Sequence, residues 1–120
     1  MNMKVVVDLL GLKTERDVLL KFGEVFEFGG PDGNIPARGN VHGIGWGCNW
    51  DAMNDSLYSL EEGGIWATSK KFSFPLEIEV TNFKEFEEND PRRFQTLKEI
   101  LDAHINEYQK EGKVMSVTFI

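Results

Sequence analysis

The chain has 120 residues, of which 41% are hydrophobic and 12% aromatic, enough to bury one apolar core, so we expect a single domain over residues 1–120. Thirteen lysines and arginines against twenty aspartates and glutamates give a net charge of −7, which argues against direct binding to nucleic acid or to an anionic membrane and favours a basic partner. Cys48 is the only cysteine, which excludes an internal disulfide and a thiolate zinc site. Because no apolar run is long enough to span a bilayer, we expect a cytoplasmic protein.

The first third of the chain predicts a strand, a helix and a long loop. Met3–Leu9 is a β-branched run of strand length. Thr14, followed by Asp17 three residues later, is typical of a helix N-terminus, and apolar residues continue at helical spacing to Phe26. Residues 29–47 contain seven glycines and two prolines, which favours a loop.

A second helix with two distinct faces is predicted after this loop. Asn49 is a suitable N-cap, and Gly63 and Gly64 are expected to end the helix. One stripe is apolar and comprises Trp50, Met53, Leu57 and Leu60. The other is polar and comprises Asp51, Asn54, Asp55 and Tyr58.

The last part of the chain predicts two more strands with helices between them. Residues 74–80 alternate apolar and acidic side chains, as a strand would. Asn82 is expected to cap a short helix over residues 83–88. Asp90 before Pro91 predicts the start of a long helix that ends at Gly112, and residues 114–120 form an apolar strand.

The order of these elements predicts an α/β fold. The three predicted strands are separated by helical stretches and are too far apart for hairpins. Right-handed crossovers would therefore build a small three-stranded parallel sheet covered by about four helices.

One segment resembles a known family. Residues 46–57, Trp-Gly-Cys-Asn-Trp-Asp-Ala-Met-Asn-Asp-Ser-Leu, are similar to the barstar motif, aromatic-Gly-x-Asn-x-Asp-Ala-hydrophobic-x-Asp-x-Leu. The Pro-Leu strand near residue 75, the long fourth helix and the terminal apolar strand are also similar to that family. The resemblance implies a stoichiometric inhibitor or immunity protein that binds a basic ribonuclease, is a monomer when free, and needs no cofactor or metal.

The resemblance also implies which residues bind the partner. Asp51 and Asp55 correspond to the family's two helix-borne acids that enter the phosphate-binding centre of the ribonuclease. Asn49 corresponds to the cap that fixes the preceding loop beside them. A third acid is expected on the long helix, where Asp102 and Glu107 are both candidates.

This chain departs from the family pattern at several positions. Asn54, between the two key acids, stands where the family's type member has a tryptophan and is a predicted partner contact, and Gly45 replaces a contacting tyrosine. Trp46 follows at once and is a contact candidate, as is Trp66 in a later loop, because aromatic side chains dominate binding hot spots. The loops around residues 29–47 and 63–73 are longer, so the partner surface is expected to differ.

The charge pattern supports the binding interpretation independently of the resemblance. Asp51 and Asp55 are four residues apart on one helix face, and like charges so placed cost an isolated helix roughly 0.2–0.5 kcal/mol. The positive helix N-terminus favours Asp51, but Asp55 lies toward the negative end. A basic partner would relieve this repulsion.

Two other classes of function remain as alternatives. Cys48 with His42 suggests a small hydrolase or transferase, although the acids that follow would raise the pKa of the thiol and disfavour a thiolate. The second alternative is a barstar-fold binding module without ribonuclease recognition. The two histidines do not have metal-ligand spacing, and residues 43–47 lack the Lys-Ser/Thr of a phosphate-binding loop.

Overall fold

The computed structural model describes residues 3–28, 49–58, 60–62 and 71–120. Within these ranges it contains the strands and helices β1 (Met3–Asp8), α1 (Glu15–Phe26), α2 (Trp50–Ser56), β2 (Leu76–Thr81), α3 (Lys84–Asn89), α4 (Pro91–Lys110) and β3 (Met115–Phe119). A single 3-10 turn, Leu60–Glu62, follows α2. The predicted loop over residues 29–47 lies outside the described residues.

The described strands form one parallel sheet in the order β1-β2-β3. Met3 pairs with Leu76, and Leu76 in turn pairs with Met115. The predicted α/β class and parallel sheet are therefore confirmed. The result follows from the connections, because parallel neighbours need a crossover and the intervening segments supply helices.

One face of the sheet is buried. Alternate residues point to the same face, so Val5 and Val7 of β1 lie beside Ile78 and Val80 of β2 in the core. The opposite face is more polar and includes an ion pair of 2.9 Å between Lys4 and Glu79. The helices contribute most of the remaining core, which includes Val18, Leu19, Phe22, Phe26, Met53, Leu57, Phe86, Phe94, Leu97, Leu101 and Tyr108.

The start of α3 differs from its prediction. Phe83 is the N-cap residue and makes no side-chain capping hydrogen bond. Asn82 has a left-handed φ of 53° and donates a 2.8 Å hydrogen bond to Asp8 at the end of β1. This bond, with those from the Leu10 amide and the Thr81 hydroxyl, lowers the pKa of Asp8. The prediction of an Asn82 cap was wrong because the amide group binds this carboxylate instead.

The end of α2 also differs from its prediction, which continued the helix to Gly63. The helix ends at Ser56, and the Tyr108 hydroxyl both donates to the Leu57 carbonyl and accepts a 3.3 Å hydrogen bond from the Leu60 amide. In a longer helix these two backbone groups would bond within the helix. A side chain of α4 therefore replaces the bonds that would have extended α2.

Candidate partner-binding face

The polar stripe of α2 begins with a capped helix terminus. The Asn49 side chain accepts a 2.7 Å hydrogen bond from the Ala52 amide, as the sequence predicted, and its backbone is extended, with φ −144° and ψ 171°. The bond satisfies one of the free amides at the helix start. A contact of Asn49 with a partner remains a prediction.

Asp51 and Asp55 are both exposed on α2, on the side opposite buried Met53 and Ser56. None of the cations within the described residues forms an ion pair with either carboxylate. Asp51 lies in the first turn, where the helix dipole favours an acid, whereas Asp55 lies in the last turn, where it does not. The two acids are therefore displayed to solvent without internal compensation among these residues.

Beside Asp51, a shallow groove of about 330 Å³ separates α2 from α4. Half-buried Trp50 and Ile100 provide apolar surface, and the exposed carboxylates of Asp51 and Glu99 flank it. The complete lining comprises Trp50, Asp51, Asn54, Thr96, Glu99, Ile100 and Ala103. An apolar groove with acids beside it suits a long basic side chain, whose stem is aliphatic and whose end is charged.

Glu99 and Thr96 were not among the sequence-predicted site residues. The sequence could have predicted part of this lining, since Thr96, Ile100 and Ala103 share one face of a helix at i, i+4 and i+7. What could not be deduced is that this face of α4 lies against α2. That neighbour relationship depends on packing.

The two candidate acids of α4 lie on different sides of the helix. Both Asp102 and Glu107 are exposed. Glu107 is three residues after His104, which contacts α2, and it pairs with Lys110 at 3.2 Å. Asp102 is two residues, or about 200° of helix rotation, past the groove residue Ile100. Of these two candidates, Glu107 lies closer to the contact with α2, since its carboxylate also acts on His104, and a partner contact of either acid remains a prediction.

Two hydrogen-bonded contacts join α2 and the residues after it to α4. Asn54 lies half-buried, and its Oδ1 is 2.9 Å from Nε2 of buried His104. Tyr108, one turn further along α4, binds the Leu57 carbonyl, and its burial raises the pKa of the phenol. Asn54 is thus engaged within the chain, and its predicted contact with a partner remains untested.

Several predicted residues lie outside the described part of the chain. These are Trp46, Trp66, Cys48 and His42. Within the described residues no group of His, Cys, Asp and Glu could hold a metal ion. No helix in those same ranges is both long and apolar enough to cross a membrane.

The fold and the face define a small α/β protein with an exposed acidic surface on a short helix. The family model described as Barstar (barnase inhibitor) matches residues 43–120, more than half of the chain. The chain therefore belongs to the barstar family, as the motif around Asp51 and Asp55 predicted. A search among curated proteins found no significant match.

Proposed function

We propose that this chain is a stoichiometric inhibitor, or immunity protein, of a basic ribonuclease. Asp51 and Asp55 would occupy the positions at which the enzyme binds RNA phosphates. The observation that carries the proposal is the exposure of both acids on one helix face, with no cation of the described residues paired to either. Membership of a family described as barnase inhibitors supports it.

The spacing of the two acids suits a ribonuclease active site. Residues four apart on a helix are separated by about 6 Å along the axis. Two carboxylates at this distance can each meet a different cationic group of the enzyme, as successive phosphates of RNA would. The net charge of −7 would also speed the encounter with a basic enzyme, since opposite charges steer association.

The groove beside Asp51 extends the proposed contact surface to α4. A lysine or arginine of the ribonuclease would lay its aliphatic stem between Trp50 and Ile100 and place its charge near Asp51 and Glu99. On the other side of His104, Glu107 is the acid of α4 that we assign to the interface. Asp102 is outside the groove lining and is assigned no contact.

No bond is made or broken on this chain in the proposed mechanism. Inhibition results from occupation of the nuclease active site, so the chain needs no nucleophile and no cofactor. The protein would act in the cytoplasm, where a delivered or newly made ribonuclease must be neutralised before it reaches cellular RNA. The free protein would be a monomer.

The direct test is an activity titration. The chain is added in increasing amounts to barnase and to basic ribonucleases encoded beside its own gene, and RNA cleavage is followed. Complete loss of activity of at least one enzyme at an equimolar ratio is the expected result. If none of these enzymes is inhibited by a molar excess of the chain, the proposed function is incorrect.

Asp55→Ala separates binding from folding. Removal of the carboxylate leaves enzyme cations buried and unpaired, so affinity should fall by at least ~2 kcal/mol, or roughly 30-fold. Large charge couplings of this kind are known from the barnase–barstar complex itself, from which this magnitude is taken. The free energy of unfolding should change by less than about 0.5 kcal/mol, because Asp55 is exposed and repels Asp51.

The matched control for Asp55→Ala is Glu85→Ala, which removes one exposed negative charge from α3. The control should inhibit as well as the wild-type chain. Inhibition constants and urea unfolding curves are measured for all three proteins. Equal inhibition by wild type and Asp55→Ala would remove Asp55 from the interface, and a large loss of stability would make it a structural residue.

A second pair of variants distinguishes the two acids of α4. Glu107→Ala should weaken inhibition by at least ~1 kcal/mol, about fivefold, if this carboxylate is covered by the enzyme. Asp102→Ala should leave inhibition unchanged. The reverse ranking of the two inhibition constants would show that the partner approaches α4 from its other side.

A further inference from the structure

His104 lies buried beneath the acidic face. It is only 1% exposed, although it belongs to the class of side chains that titrate near neutral pH. Asn54 of α2 meets its Nε2 at 2.9 Å, and the ring of Tyr58 packs edge-on against it with 4.5 Å between centroids. Asn54, which lies between Asp51 and Asp55 in the sequence, is therefore in direct contact with this imidazole.

The hydrogen bonds of His104 suit the neutral ring. The Asn54 oxygen facing Nε2 is an acceptor, so Nε2 carries the proton. Nδ1 is buried and has no hydrogen-bond partner among the described residues. A second proton would therefore create a buried N–H without an acceptor, and a buried donor left unsatisfied destabilises its surroundings. The cost of protonation therefore falls at Nδ1, whereas the Nε2 hydrogen bond to Asn54 is kept in both states.

The charged groups around His104 couple it to the binding face. Burial lowers the pKa of the imidazole, whereas the Asn54 hydrogen bond and the carboxylates of Glu107 on α4 and Asp55 on α2 raise it. Tyr58 and Tyr108 are the other titratable side chains that contact the ring. Asp55 thus interacts both with His104 and, in the proposed complex, with the ribonuclease.

We propose that His104 is a positioning residue for the acidic face, and that protonation of its imidazole opposes binding of a basic partner at Asp55. A partner cation at Asp55 neutralises the carboxylate that would stabilise the imidazolium, and it is also repelled by the imidazolium. The neutral ring, in contrast, donates to Asn54 without placing a positive charge beneath the site of the partner cation. The nature of the partner rests on the proposed function, but the coupling between His104 and Asp55 does not.

The sign of the pH effect follows from reciprocal linkage. If the basic partner disfavours the protonated ring, protonation must weaken the partner's binding by the same free energy. Affinity is then highest above the pKa of His104 in the free chain and falls as the pH drops below it. Because burial places this pKa below the ordinary value of about 6.5, the loss is expected in mildly acidic solution.

The coupling is tested first without any partner. The imidazole pKa of His104 is measured by NMR titration of the full chain, and its resonance is identified by its loss in His104→Gln. In Asp55→Asn this pKa should be lower than in the wild-type chain, because the neutral amide no longer stabilises the imidazolium. In the control Glu85→Gln it should be unchanged. An unchanged pKa in Asp55→Asn would overturn the proposal, whether or not the chain inhibits a ribonuclease.

The second test uses the ribonuclease that the chain inhibits. Its dissociation constant is measured from pH 7.5 to pH 5 with the wild-type chain and with His104→Gln, whose amide can still bind Asn54 but does not titrate. Below the pKa of His104 in the free chain, the affinity of the wild-type chain should fall by up to about tenfold per pH unit beyond any fall seen with His104→Gln. Ionisable groups of the enzyme affect both proteins equally.

Equal pH profiles for the two proteins would overturn the proposal. His104→Asn is a second variant if His104→Gln proves unstable. Failure to inhibit any ribonuclease would reject the proposed function, and the NMR titration would then decide the coupling on its own.

Discussion

The helices α2 and α4 differ in the interactions that stabilise them. Helix α4 has 20 residues, a side-chain cap from Asp90, a proline at its first turn and a stripe of buried residues along its length. Helix α2 has seven residues, of which only Met53 and Ser56 are buried, and it carries two repelling acids. Isolated helices shorter than about 12–15 residues are marginal in water. Helix α2 must therefore depend on the surfaces that it contacts.

This difference would separate the stability of the chain from its proposed recognition of a partner. The long helix and the sheet supply much of the core, whereas the short helix contributes few buried residues and displays charges that do not favour folding. The contacts of Asn54 with His104 and of Leu57 with Tyr108 hold α2 against α4. Variants of each helix should therefore produce different combinations of lost stability and lost binding.

The largest effect on stability is expected from α4. Leu101 is fully buried in the core, and Leu101→Ala should lower the free energy of unfolding by about 2–5 kcal/mol. Asp102→Ala, its exposed neighbour, should change it by less than about 0.5 kcal/mol. Urea unfolding measures both. If Leu101→Ala lowered the free energy of unfolding by less than about 1 kcal/mol, α4 would not contribute to the core as we describe.

A smaller effect is expected from the contact between the helices. Tyr108→Phe removes the donor to the Leu57 carbonyl and the acceptor of the Leu60 amide, and should cost about 1–3 kcal/mol. Tyr58→Phe, which removes an exposed hydroxyl and keeps the ring against His104, is the control. Hydrogen exchange should show faster opening around Leu57 in Tyr108→Phe only. Equal stability of the two variants would contradict the assigned role of Tyr108.

The smallest effect is expected at the helix caps, where the two helices can be compared directly. Asn49→Ala and Asp90→Ala each remove one capping acceptor, and each should cost about 1 kcal/mol or less. Amide hydrogen exchange measures the consequence residue by residue. In Asn49→Ala the faster exchange should be confined to α2, because that helix opens locally. Faster exchange throughout the core in Asn49→Ala would show that α2 unfolds together with the rest of the protein and not by itself.

Much of this architecture could be predicted from local sequence patterns. Thr14 and Asp90 were identified as caps, and each side chain accepts the expected backbone hydrogen bond three residues later. A β-branched run, a segment of alternating residues and a terminal apolar segment located the three strands, and the spacing between them predicted the parallel sheet. These features depend on residues a few positions apart, so their physical causes are visible in the sequence.

The candidate site could be predicted only in part. The positions of Asp51 and Asp55 on one face follow from helix periodicity, and both are exposed. Helix periodicity did not show that Asn54, between them, would contact His104 fifty residues later. Helix periodicity also did not predict that Glu99 of α4 lies at the groove beside Asp51.

The end of α2 illustrates the same division between sequence and tertiary structure. Residues 50–60 have a continuous apolar stripe, and by themselves they predict a helix as far as Gly63. The tertiary structure ends that helix at Ser56, because the Tyr108 hydroxyl binds the two backbone groups that would have extended it. The sequence by itself determined the type and order of the described strands and helices and which acids share a face. Only the packing of α2 on α4 decided where α2 ends and what lies beneath its acids, because hydrogen-bond partners distant in sequence leave no local periodic pattern.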